Sequence, residues 1–192
     1  MPEFALQFPV ERVAELAARY ADEADTAVLA IGRAARARGH YTRGEFLIVC
    51  RWKTARSAPL VARNSARAVR AATRIALAYR SGERERMDAL LSLSGVAWPT
   101  ASVLLHVAYP ERYPILDVRA LEALGVRSPV SRGFRLWSAY VSAWRGVAAI
   151  AGVDGRTLDR ALWQWSKERD ATSAGGRPPA GARPARTRPR SA

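Results

Sequence analysis

With 192 residues, a mass of 21.0 kDa and an apolar fraction of 49%, the chain suits one domain, or a compact two-lobed unit, with a real core. No apolar run approaches the roughly 18 residues needed to cross a bilayer. The opening MPEFALQFPVERV has acids where a secretion signal carries positive charge, so a cytoplasmic, non-membrane protein is expected.

Cys50 is the only cysteine, which excludes a disulfide framework and a four-cysteine iron–sulfur cluster. The net charge of +14 is unevenly spread. Residues 1–32 carry −4, residues 33–86 carry +11, residues 87–170 carry +2 and residues 171–192 carry +5. Arginine clustered on a folded segment is the electrostatic footprint of a polyanion partner. Of the 31 basic residues 29 are arginine, as a GC-rich genome would give, but that bias does not explain the clustering.

In chain order, Val10, Val13, Leu16, Ala17 and Tyr20 predict an amphipathic helix from Val10 to Ala24. Asp25 or Thr26 caps a second helix to about Arg38, ended by Gly39. Thr42 and Glu45 have the spacing of a capping box and open a third helix through Phe46–Cys50. That apolar run could also be a buried strand, but every neighbour is helical and no partner strand is visible. The third helix ends in Arg51–Ser57, with Pro59 as its stop. Asn64 or Ser65 caps a fourth helix to about Tyr79, and Arg63, Arg67, Arg70 and Arg74 make a basic stripe opposite Val69, Ala72, Ile75 and Ala76.

Residues 87–124 read as helix, tight turn, helix, loop, helix. The first helix ends near Ser94, and Pro99 suits the first position of the second. Trp98 precedes a proline and belongs to the turn. Ala101, Leu104, Leu105 and Ala108 form one apolar face, and Asp117 opens the third helix, 117–125. After a loop from Gly125 to Pro129, a long helix runs from Ser131 or Arg132 to Ile150. Asp154 caps a last helix carried by Leu158, Ala161, Leu162 and Trp165. Residues 171–192 are rich in Pro, Gly and Arg and predict a disordered basic tail. The expectation is an all-α domain of about eight helices over residues 1–170.

The pattern L-x-x-L-x-G-V-x-x-x-T-A followed by P-I-L-D resembles the helix-hairpin-helix DNA glycosylase superfamily, the endonuclease III-like enzymes. In that family a G-V-G-x-K-T-A hairpin precedes the catalytic aspartate. Gly95, Val96, Thr100 and Ala101 match, Pro99 stands at the lysine position, and Asp117 falls at the family's spacing of 18 residues beyond it. Ala97 replaces the second glycine, and a left-handed alanine there would cost about 1–2 kcal/mol.

The resemblance implies a helix-hairpin-helix glycosylase-like fold in which the hairpin, 87–109, grips duplex DNA. Backbone N–H groups around Gly95, Val96, Ala97, Trp98 and Thr100 would face one phosphate, and turn carbonyls would hold a monovalent cation. Asp117 would act on a nucleotide flipped out of the stack, stabilising an oxocarbenium and orienting water. Trp52, Lys53 and Arg56 correspond to the stretch that lines the base pocket. Without the hairpin lysine, base removal by water alone is expected. No other cofactor is implied, a monomer is expected, and in a bacterium the protein would associate with the nucleoid.

Other readings stand beside these. Asp117 is an ordinary N-cap by position, and Lys53 a cation at a helix end. A non-enzymatic DNA- or RNA-binding module with the same hairpin is the alternative function. His40 and His106 are too far apart to suggest a metal site. His106 fits a structural role, and Tyr109 and Tyr113 suit packing better than base stacking.

Overall fold

A computed structural model describes residues 3–20, 25–127 and 132–175, and every regular element in them is helical. Among the described residues there are ten α-helices, against about eight expected. A 3-10 turn at Val10–Arg12 leads into α1 (Val13–Ala18), which stops short of Ala24. Then come α2 (Asp25–Arg38) and α3 (Arg43–Lys53). The Thr42–Glu45 capping box is fully formed, with each side chain bonded to the other's backbone N–H.

After a second 3-10 turn, Ala55–Ser57, a one-turn helix α4 (Ala58–Val61) was not expected. Pro59 starts it rather than stopping α3, because a proline in a first turn sacrifices no helical hydrogen bond. Ser65 caps α5 (Ala66–Leu77) through the Ala68 N–H. Arg63 therefore lies in the loop before the helix, and only Arg67, Arg70 and Arg74 share its exposed face.

The hairpin's first helix, α6 (Glu83–Leu91), begins and ends earlier than predicted. Glu83 and Glu85 in its first turn suit the positive end of the dipole but carry no apolar period. The second, α7 (Trp98–Ala108), starts at Trp98, with Pro99 in second place. Asp117 caps the short α8 (Val118–Ala123), and α9 (Phe134–Ala151) closes on left-handed Gly152. The last helix, α10 (Gly155–Gly175), overruns the expected boundary at residue 170. The remainder of the predicted tail, 176–192, lies outside the described residues.

Two groups of helices result. In one, α7 packs against α2, α3, α5 and α6. Every residue of α7 from Thr100 to Ala108 is buried, so it is a core helix, covered on all sides rather than amphipathic. In the other, α10 packs against α1, α8 and α9. The extended N-terminal segment joins this second group, with Ala5 and Gln7 donating backbone N–H bonds to Leu124 and Ala123. Buried Arg86 ties α6 to the C-terminal end of α5, donating to the carbonyls of Ala76 at 2.5 Å and Tyr79 at 3.3 Å.

The approach of α2 to α7 is set by Gly32. A Cβ added there would lie 1.7 Å from the carbonyl oxygen of Val107, a backbone atom that cannot swing aside. Gly32→Ala should therefore destabilise the chain by about 1–3 kcal/mol, despite the better helix propensity of alanine. A lowered denaturation midpoint in urea checks this, and an unchanged midpoint would show that the two helices can slide apart.

Candidate functional site

The segment Tyr113–Leu116 is buried at every residue yet belongs to no helix, so its backbone polar groups need partners from elsewhere. Side chains supply them. His106 Nδ1 lies 2.7 Å from the Tyr113 carbonyl, and the Tyr140 hydroxyl donates to the Ile115 carbonyl at 2.9 Å. The Ile115 N–H donates to Asp159 at 3.4 Å and the Leu116 N–H to the Ser102 hydroxyl at 2.9 Å. Ser102 in turn donates to the Pro99 carbonyl at 2.7 Å, connecting this segment to the first turn of α7. Asp117 follows directly. Its Oδ1 accepts the Arg119 N–H at 2.9 Å, and its Oδ2 accepts a hydrogen bond from Lys53 Nζ at the end of α3.

Burial alone would raise the Asp117 pKa. The charge and hydrogen bond of Lys53, with the Arg119 N–H, outweigh it and hold the carboxyl below its ordinary range. The cap and the ion pair thus coexist on one carboxylate.

Around this pair lies a cleft of about 530 Å³. One wall is Lys53, Thr54, Arg56, Ser57 and Leu60; another is Gly95, Ala97, Pro99 and Thr100 of the hairpin; Leu116, Asp117, Val118 and Arg132 complete it. Six of the predicted site residues therefore meet in one place: Asp117, Gly95, Ala97, Thr100, Lys53 and Arg56. Val96 does not; it is buried beneath the turn. Trp52 and Trp98 are half-buried against the core, outside the cleft lining. Arg63, Arg67, Arg70 and Arg74 are exposed, away from that lining. Asn64 links their end of α5 to the hairpin, exchanging two 2.9 Å hydrogen bonds with the backbone of Ser94.

The turn itself differs from expectation. Gly95 takes the left-handed conformation, at φ 75°, while Ala97 is extended, so its missing glycine costs nothing. A Cβ on Gly95 would sit 2.7 Å from Leu60 Cβ and 2.8 Å from the Val61 nitrogen, so this glycine also permits close packing on α4. Among the described residues, the N–H groups of Gly95, Ala97 and Trp98 have no acceptor. Tyr109 and Tyr113 turn away, donating to the Leu77 carbonyl at 2.8 Å and to Glu83 at 3.1 Å.

The residues missed by sequence reasoning are mostly those that hold the segment. Asp159 accepts Trp144 Nε1 at 3.0 Å and lies 3.3 Å from His106 Nδ1. It sits within the buried stripe of α10 beside Leu158 and Leu162, and a carboxylate in an apolar stripe was the available signal. Among the described residues no group of three His, Cys, Asp or Glu side chains is placed to hold a metal ion. No helix of the described residues is long and apolar enough to cross a membrane. No protein-family model, curated protein or solved structure matches the chain.

Burial pushes Asp159 up to about 7, against the lowering by Arg156, the Ile115 N–H, Trp144 and Lys53. Burial likewise pushes His106 down to about 4. Between those values the two are a neutral pair rather than a salt bridge. From about pH 4 to 7 the folded chain keeps a proton on Asp159 that the unfolded chain releases near pH 3.9, so this group costs stability as pH rises. His106 acts oppositely, the unfolded chain binding the extra proton from about pH 6.5 down to 4. Asp159→Asn removes only the first contribution. Its melting temperature, relative to wild type, should climb as pH rises from about 4 to 7 and level off above. A difference that stays constant across that window would mean that Asp159 is already ionised at its lower end.

Proposed function

We propose that the chain is a helix-hairpin-helix glycosylase-like protein that binds duplex DNA and removes a flipped base by hydrolysis, with Asp117 as the key carboxylate. The observation that carries this reading is the cleft where an ionised, partly buried Asp117 lies with a hairpin turn whose Gly95, Ala97 and Trp98 N–H groups have no acceptor among the described residues. As an N-glycosidic bond breaks, positive charge develops on the sugar, and a fixed carboxylate stabilises it and orients water. The N–H groups of Gly95, Ala97 and Trp98 at the positive end of α7 suit a backbone phosphate. Pro99 offers no amine, so the hairpin itself supplies no covalent route.

The cleft also bears on the non-enzymatic alternative. In a binder that kept the fold and lost the chemistry, the space beside Asp117 would be filled, by Trp98 or Trp52. Neither lines it.

The basic face extends the grip. Each phosphate neutralised by arginine contributes about −0.9 to the slope of log affinity against log salt on duplex DNA. Arg67→Gln with Arg70→Gln should make that slope shallower by about 2, without altering base release from bound duplex. An unchanged slope would remove α5 from the footprint.

Asp117→Asn is the decisive variant for catalysis. Asparagine still caps α8 through its carbonyl oxygen, although its NH2 group replaces the oxygen that accepts from Lys53, so the ion pair is lost while the cap keeps the fold. Base release from lesion-bearing duplexes, developed by heat and alkali, should fall about 10²–10⁴-fold. Duplex affinity should hold or rise, because an anion near the phosphates is gone. Undiminished base release from the folded variant would reduce Asp117 to a cap.

A further inference from the structure

A second cavity, of about 240 Å³, lies where the two helix groups meet and shares no lining residue with the Asp117 cleft. Glu83 of α6 forms one side, and Trp137, Ser138, Val141, Ser142 and Arg145 of α9 form the other. The last four recur at i, i+3, i+4 and i+7, so one face of α9 makes a whole wall. The Arg84 guanidinium lies 4.3 Å over the Phe134 ring and holds the start of α6 beside the start of α9.

The polar groups at the two ends are fixed in place and only partly used. Arg112 donates to Glu83 Oε1 at 2.6 Å, and the Tyr113 hydroxyl donates to the same oxygen at 3.1 Å. Burial, reinforced by the Glu83 charge, pushes the Tyr113 phenol up to about 12 against the lowering by Arg86 and Arg112, so it stays a donor. Glu83 Oε2 has no partner among the described residues. Arg145 places Nη2 on the Arg112 carbonyl at 2.8 Å, and its other donors have no acceptor among the described residues.

Between these ends stand the Ser138 and Ser142 hydroxyls, also without partners among the described residues. The floor is apolar, made of Val141 and of Trp137, whose ring stacks on Tyr113 at 6.3 Å. Because Tyr113 touches both Glu83 and Trp137, the carboxylate stands toward the Trp137 end. Arg145 lies about 12 Å of helix rise further along α9.

Charge decides what fits. Glu83 is paired with Arg112, while Arg86, 1% exposed, donates only to the carbonyls of Ala76 and Tyr79. One carboxylate therefore stands among three guanidinium groups, and a cationic ligand is repelled. A phosphate dianion would meet one free guanidinium at one end and Glu83 at the other. A carboxylate carries a single charge and takes the guanidinium fork through two parallel hydrogen bonds. The volume is below the about 300 Å³ at which sites for drug-sized ligands begin, which restricts the ligand to about one ring.

We propose that this cavity binds a small organic monocarboxylate with an apolar body and a hydroxyl at its far end, the carboxylate on Arg145 and the hydroxyl on Glu83. The site requires neither duplex binding nor base release and stands apart from the function above. Its occupant ties α6 to α9, and so one helix group to the other. It also rests against the partners of Tyr113, the first residue of the segment that leads to Asp117.

The test uses the full chain with 4-hydroxybenzoate as the probe, read by calorimetry and by the NMR signals of α9. A dissociation constant of about 1 mM or tighter is expected. The Trp137 indole signal and the Ser138, Ser142 and Arg145 amide signals should move together on titration. Benzoate, which lacks the hydroxyl, should bind about tenfold more weakly, and cationic benzamidine should not bind. Arg145→Gln should weaken the probe about tenfold or more, and Ser142→Phe should abolish binding by filling the cavity. Both positions are exposed, so the melting temperature of each ligand-free variant should stay near that of the wild type. No saturable binding by the wild-type chain, signals that move elsewhere, or undiminished affinity in either variant would overturn the proposal. Equal affinity for benzoate would remove Glu83 from the site, and tighter binding of phenyl phosphate would overturn the carboxylate assignment.

Discussion

Everything in the cleft depends on how a piece of irregular backbone is held inside the core. Tyr113–Leu116 crosses the interior with no helix to satisfy its N–H and C=O groups, and each such group left unpaired would cost about 1–3 kcal/mol. His106 and Ser102 from α7, Tyr140 from α9 and Asp159 from α10 bond to it from three helices. Both helix groups therefore meet on this segment. Asp117, the next residue, inherits a position fixed by four buried side chains rather than by a loop of its own. Buried polar groups are costly where they are not paired, so such a set specifies one arrangement of the helices around it.

The Lys53–Asp117 pair spans the gap between those groups. Neither side chain is fully buried, and the interaction belongs to the range between surface and interior ion pairs. Its chemical effect is clearer than its energetic one. Burial pulls Asp117 toward the neutral form, and the lysine pulls it back. A carboxylate balanced in this way stays ionised in the open cleft and remains sensitive to anything that changes the water around it. The α8 cap adds a second constraint, because the same carboxylate must keep Oδ1 on the Arg119 N–H.

Much of this was legible in the sequence, and the failures have common causes. Local chemistry read well: the Thr42–Glu45 box, the Ser65 cap and the Asp117 cap are set by neighbours within four residues. Helix ends without an apolar signal read poorly. Glu83–Arg86 opens α6 on charge alone, and α4 hides behind a proline that looked like a stop. Long-range pairing was invisible. Lys53 looked like a helix-end cation because nothing in its own stretch points to Asp117. The side chains that hold Tyr113–Leu116 were partly visible, since Ser102, His106 and Asp159 each interrupt an apolar stripe, and a polar residue in such a place needs a partner.

The alanine at position 97 shows how a departure from a motif can be neutral. A turn needs its left-handed residue once, and Gly95 supplies it while also clearing space for α4. Ala97 is extended, a conformation any residue adopts, so the turn closes without strain. What remains is a question of charge. The Ser94 and Val96 N–H groups are consumed by Asn64 and Leu93, whereas those of Gly95, Ala97 and Trp98 have no acceptor among the described residues. To their partial positive charge the cleft adds Lys53, Arg56 and Arg132, and against them stands one carboxylate. Asp117 can neutralise one of these cations and does so with Lys53. The residual positive potential is open to an anion from outside.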